Sequence, residues 1–224
     1  GPALPASVRP TSFSSNTDAT MFHLRFFPPR YAALRAIRNV TMAWALTIFP
    51  AFAAPVTVLA LGDSLTQGYG LAPEDGFVPQ LQAWLAAQGK EVTVINAGVS
   101  GDTTAGGLSR VDWSLTPEVQ AMIVNLGGND LLRGIDPATS RANLAGILDK
   151  AKARNLPVLL VSLTAPENYG PDFKSAFDAI YPDLATRYGA LLGDNYFAPL
   201  IDRQNARLAP DLMQADGIHP NAEG

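Results

Sequence analysis

Four short segments of this sequence hold the residue types that acyl transfer needs. These are a hydroxyl nucleophile, a base with an orienting carboxylate, and donors for a developing oxyanion. Ser64 stands in Gly62-Asp63-Ser64-Leu65, just past an apolar run, and Gly62 lets the chain turn sharply there. At a helix N-terminus, free backbone N–H groups would favour negative charge beside Ser64. A plainer role for the same serine is to cap that helix. The segment does not match the G-x-S-x-G nucleophile turn, because Thr66 fills its last position.

A serine nucleophile needs a base, and His219 is one of only two histidines, the other being His23 near the N-terminus. Asp216 precedes it by three residues in Asp216-Gly217-Ile218-His219-Pro220. Glycine and proline make this segment a turn, where an i, i+3 pair can point the same way. The carboxylate could then fix the imidazole tautomer and stabilise the imidazolium. A histidine in an exposed surface loop would read the same. Asn129, in Gly127-Gly128-Asn129-Asp130, offers an amide donor, and Gly101, in Ser100-Gly101-Asp102, offers a backbone N–H. Taken singly, each is also an ordinary capping or turn residue. Their joint occurrence and order make the set informative, since three of the four segments follow predicted strands.

Those strands come from apolar runs that alternate with segments of helical period. Val56–Leu61, Val92–Ile95, Ala121–Leu126 and Pro157–Val161 read as strands, and Ala190–Leu192 as a weaker fifth. Helices are predicted over 77–88, over 104–113, from the Asp136 cap and Pro137 to about Arg154, and over 172–188. Pro182 should kink or split the last of these. Strands apolar throughout and separated by helices imply an α/β fold, with a parallel sheet covered on both faces. Such sheets bind ligands at the carboxyl ends of their strands. The Gly62, Ser100 and Gly127 segments fall at those ends.

Composition narrows the chemistry. There is no cysteine, so disulfides, thiolate nucleophiles and Cys-based metal sites are excluded, and two histidines argue against a multi-histidine metal centre. Five of the 16 basic and one of the 20 acidic residues fall in residues 1–53, leaving 11 and 19, a net −8 for the remainder. A body that acidic argues against nucleic acid as a partner. Residues 1–20 precede the first Met and read as an extension or tag remnant. Residues 21–53 read as an export signal: Arg25, Arg30, Arg35 and Arg38, then the apolar Val40–Phe52, then a small-x-small cleavage site at Ala51-Phe52-Ala53. That apolar run is shorter than the roughly 20 residues of a membrane span. The expected location is the periplasm or outside the cell.

The four segments together, with Asn96-Ala97-Gly98-Val99 leading into Ser100-Gly101-Asp102-Thr103, resemble the signature blocks of the GDSL/SGNH hydrolase family. The resemblance runs from about Val56 to the end of the sequence. Leu126–Gly134 (LGGNDLLRG), Asn168-Tyr169-Gly170 and Ile180-Tyr181-Pro182 are most similar to the bacterial periplasmic group of multifunctional thioesterases, arylesterases and lysophospholipases. It implies a flavodoxin-like, three-layer α/β/α fold with a five-stranded parallel sheet, and acyl-serine chemistry without a cofactor. It also implies roles. Ser64 would be the nucleophile, His219 the base and Asp216 its orienting partner. The N–H groups of Ser64 and Gly101 and the Asn129 amide would form the oxyanion hole. Leu131, Leu132, Ile135, Thr164 and Tyr169 would border an acyl groove. The domain expected is 54–224, lacking the C-terminal helix that the family carries after its His-Pro block. Partners would be a small acyl ester or thioester substrate and, transiently, lipid. A carbohydrate O-deacetylase and a non-catalytic envelope binding protein are the competing readings.

Overall fold

The computed structural model describes residues 55–204 and 206–224. The expected extension and export signal, residues 1–53, lie outside the described residues. From there the order is β1 (Val56–Gly62), α1 (Ser64–Gln67), α2 (Phe77–Ala87), β2 (Val92–Gly98), α3 (Thr104–Ser114), β3 (Ala121–Asn125) and α4 (Gly128–Leu132). There follow α5 (Pro137–Ala153), β4 (Val158–Ser162), α6 (Pro171–Asp178), α7 (Ile180–Tyr188), β5 (Leu191–Asn195) and a hairpin of β6 (Ile201–Asp202) with β7 (Arg207–Leu208).

The five long strands form one parallel sheet in the order β2-β1-β3-β4-β5. In β1, Leu59, Ala60 and Leu61 are all buried, so consecutive side chains are covered on both faces. One face, bearing Leu59, Leu61, Val124 and Leu160, packs against Val111 of α3, Leu144 and Ile147 of α5, Phe177 of α6 and Tyr181 of α7. On the other, Val78 of α2 packs with Ala60 and Val94. Helices on both faces make the three-layer sandwich that the alternating runs predict.

Two of the differences from the sequence reading have a plain physical cause. β2 runs on to Gly98, three residues past its apolar stretch, because Asn96, Ala97 and Gly98 pair with Ala60, Leu61 and Gly62 of β1. The helix predicted over 172–188 splits at Ala179 rather than at Pro182. Proline has no N–H for the carbonyl four residues earlier, and its ring crowds it. Ending α6 at Asp178 removes that conflict and puts Pro182 in the first turn of α7, where prolines are tolerated.

This topology positions a site. The chain leaves β1 for β2 on one side and later returns to β3 on the other, which opens a crevice beyond the carboxyl ends of β1 and β3. Two braces hold that edge. Arg110 of α3 donates to the Gly62 carbonyl at 2.8 Å and the Ala97 carbonyl at 2.9 Å, and pairs with Asp102 at 2.6 Å. Asp130 of α4 is fully buried and accepts from the Thr104 N–H (2.8 Å), the Thr104 hydroxyl (2.5 Å) and the Ser140 hydroxyl (2.8 Å). It therefore ties α4 to the starts of α3 and α5. Asp130→Ala should cost at least about 3 kcal/mol, since buried donors lose charge-assisted bonds. A urea midpoint equal to that of the native chain would refute the assignment.

Candidate active site

Asp63, not Ser64, caps α1. Its Oδ1 accepts the Leu65 N–H at 3.0 Å, and Ser64 becomes the first helical residue. The Ser64 hydroxyl is thereby left to another partner, and His219 Nε2 lies 2.9 Å from it. The Ser64 N–H sits in the first turn, where helical carbonyls supply no acceptor.

His219 is oriented by its own turn. Asp216 Oδ1 accepts the N–H groups of Ile218 (2.9 Å) and His219 (3.0 Å), and Oδ2 meets His219 Nδ1 at 2.7 Å. A carboxylate at Nδ1 puts the ring proton there and leaves the Nε2 lone pair facing the Ser64 hydroxyl. The same N–H and imidazole bonds hold the Asp216 carboxyl down at about 2. The ring of Tyr69 packs on the imidazole, 4.7 Å between centroids and tilted by 39°. Gln214 straps this turn to the segment after α1, donating to the Tyr69 carbonyl at 2.8 Å and the Pro220 carbonyl at 2.9 Å. Neither Tyr69 nor Gln214 stands out in the sequence, because nothing local marks a contact made across so much chain.

The oxyanion donors named from the sequence converge on the same groove. Asn129 lies inside α4 rather than capping it, and Gly101 sits in a turn with φ +81°. Both line the groove beside Ser64. Arg133 donates to the Gly101 carbonyl at 2.8 Å, linking the Gly101 turn to the end of α4. Gln67 of α1 accepts the Ser100 N–H at 2.9 Å, linking the same turn to the helix that begins at Ser64. Gly98 is required where β2 meets α1, since a Cβ there would lie 2.2 Å from the Gln67 backbone nitrogen.

Asp63 has a second bond: Oδ2 accepts the Asn129 amide at 3.4 Å. The residue is 2% exposed. Burial raises its carboxyl to about 6, against the lowering effects of the Leu65 N–H, His219 and the Asn129 amide. A raised carboxyl stabilises the fold below its unfolded value near 4, and that contribution is lost as pH rises through 6. Keeping Asp63 ionised at neutral pH therefore costs about 3 kcal/mol.

The groove measures about 690 Å³ and is mostly apolar. Leu131, Leu132, Thr164 and Tyr169 line it, and the Tyr169 hydroxyl donates to the Leu131 carbonyl. Ile135 is not among its lining residues: it stands past the turn that ends α4, with its N–H on the Asp130 carbonyl. Leu163, Phe197, Leu208 and Ile218 complete the walls. The sequence carries no signal for Phe197 and Leu208, because folding alone brings the segment after β5 and the β7 hairpin to this edge.

Residues 60–224 match the model of the GDSL-like lipase/acylhydrolase family. The chain is 41% identical over 177 residues to esterase TesA of Pseudomonas aeruginosa, covering 79% of this chain and 85% of that protein. It is 38% identical over 173 residues to thioesterase 1/protease 1/lysophospholipase L1 of Escherichia coli K12, covering 76% and 78%. Among solved structures, the SGNH-hydrolase family esterase AlinE4 superposes with a TM-score of 0.69 at 44% identity, over 78% of this chain and 90% of that one. With the Ser64, Asn129 and His219 segments all inside the matched region, the chain belongs to the GDSL-like lipase/acylhydrolase family.

Proposed function

We propose that this protein is a serine esterase, cleaving carboxylic esters and thioesters through an acyl-serine intermediate. The observation that carries the reading is the relay at the groove's edge: Ser64 Oγ 2.9 Å from His219 Nε2, with Nδ1 2.7 Å from Asp216. His219 takes the Ser64 proton as the oxygen attacks the acyl carbonyl. The N–H groups of Ser64 and Gly101 and the Asn129 amide receive the oxyanion. The imidazolium, stabilised by Asp216, returns its proton to the leaving alkoxide or thiolate. Water, deprotonated by His219, then hydrolyses the acyl-serine and restores the hydroxyl. No step requires a cofactor.

An acetyl group does not need an apolar groove walled by Leu131, Leu132, Leu163 and Phe197. That lining favours longer acyl chains over the O-deacetylase reading. A binding protein has no use for a base aligned on a hydroxyl, which weighs against the non-catalytic reading. The export signal read from residues 21–53 would place the enzyme in the periplasm or outside the cell. Among the described residues no helix is long and apolar enough to cross a membrane.

Hydrolysis of p-nitrophenyl esters from C2 to C16 tests the reading. The expected profile peaks above C2. A peak at C2 with little turnover beyond C4 would support the deacetylase instead. Asn129→Ala should lower kcat by about 10²–10³ with a smaller change in KM, since its amide meets charge that appears only in the transition state. An unchanged kcat would remove Asn129 from the oxyanion hole.

A further inference from the structure

Asp63 is buried, it neighbours the nucleophile, and it takes no part in the relay of Ser64, His219 and Asp216. A helix cap can be made by an uncharged serine or asparagine, without burying a charge. A buried carboxylate at this position therefore asks for a second purpose, and its other oxygen supplies one. Oδ1 holds the Leu65 N–H of α1 at 3.0 Å, and Oδ2 holds the side-chain amide of Asn129 on α4 at 3.4 Å. The cap of the helix that begins at Ser64 and the anchor of the Asn129 amide are thus one group. An amide has two N–H donors, so with one on Asp63 the other is aimed by it.

We propose that Asp63 is the positioning residue of the oxyanion hole: its carboxylate orients the Asn129 amide relative to the Ser64 N–H, and protonation of that carboxylate releases the amide. Only the ionised form accepts on both oxygens. A proton on either oxygen puts a donor against the Leu65 N–H or the Asn129 amide. Burial places this change close to pH 6. The groups that face Asp63 fit an acidic switch. His219 acts to lower the Asp63 carboxyl and is already paired with Asp216. Tyr181 of α7 and Tyr196 after β5 both feel the Asp63 charge, and burial raises both phenols. Asp130, which also acts on Tyr181, is occupied by Thr104 and Ser140. Arg110 bonds the neighbouring Gly62 carbonyl but has Asp102 as its partner.

The inference rests on the serine-esterase reading, and three variants separate the two. Asp63→Asn keeps the size and the cap but places an amide donor against the Asn129 amide. Asp63→Ser keeps the cap and cannot reach Asn129. Each should lower kcat by about 10–100-fold with KM within about twofold. In the native enzyme log(kcat/KM) should fall more steeply below pH 6 than it does in Asp63→Asn, which lacks the titrating carboxylate. In an Asn129→Ala background, Asp63→Asn should have no further effect on kcat, because the group it positions is gone. Multiplying losses in the double variant, or a native kcat in folded Asp63→Ser, would overturn the proposal while leaving the esterase reading intact. Native turnover in Ser64→Ala would instead overturn the esterase reading itself.

Discussion

Ser64→Ala is expected to lower kcat for ester hydrolysis by about 10⁶, with KM little changed. In the proposed mechanism the hydroxyl is the atom that bonds to the acyl group, so its loss should remove the covalent path altogether. What should remain is attack by water in a groove whose proposed oxyanion donors are intact. Such a remnant still exceeds the uncatalysed rate, by roughly 10³–10⁴ in comparable enzymes. His219→Ala should lose a similar factor, because a serine without its base is a weak nucleophile. The double variant should be no worse than either single one, since both side chains serve one step. Initial-rate kinetics on a p-nitrophenyl ester, with a burst measurement at high enzyme concentration, decides the matter. The native enzyme should show an acyl-enzyme burst if deacylation is slow, and neither variant should. The variant should also fold, because the Ser64 hydroxyl bonds His219 rather than the core. More than one per cent of native kcat in Ser64→Ala would end the acyl-serine mechanism.

The second large effect concerns Asp216. Asp216→Asn should lower kcat by about 10⁴ while leaving the turn in place. The amide oxygen can still accept the N–H groups of Ile218 and His219, which form the turn. The amide nitrogen, however, presents a donor to Nδ1. The imidazole proton then moves to Nε2, where it faces the Ser64 hydroxyl instead of accepting from it. The native carboxyl is held at about 2, so it is charged across the working range. A depressed carboxyl contributes fully above its unfolded value near 4 and loses that contribution as pH falls through 2. No acid limb of the native rate profile above about pH 4 should therefore belong to Asp216. In the variant the rate should recover at high pH, where hydroxide replaces the missing base. A loss of only a few fold would mean that geometry, not the tautomer, governs the base.

Much of the architecture is legible in the sequence because it depends on short-range pattern. Strands covered on both faces are mostly apolar, and the four main runs are, with Thr57, Thr93 and Asn125 as their polar residues. The helix over Pro137–Ala153 announces itself through the Asp136 cap and the proline that follows it. The Asp216–His219 pair is also local, since an i, i+3 turn closes its own hydrogen bonds. Even the convergence of the Gly62, Ser100 and Gly127 segments follows from the rule that parallel strands end at one edge.

Other features required the folded chain. The sequence left two roles open for Ser64, helix cap or nucleophile, and the structure assigns the cap to Asp63. That frees the hydroxyl for a histidine 155 residues away. No local pattern encodes a contact at that separation, because it depends on the order of strands in the sheet. The Gln214 strap, the Arg110 brace and the groove walls from Phe197 and Leu208 arise in the same way. Ile135 shows the converse: close in sequence to Asn129, it lies past the turn that ends α4 and does not line the groove. The sequence by itself determined the layers, the strand ends and the chemistry available there, because hydrophobic period and turn residues act over a few positions. Tertiary structure alone decided which donor meets which acceptor, because those bonds join segments that only the sheet's crossovers bring together.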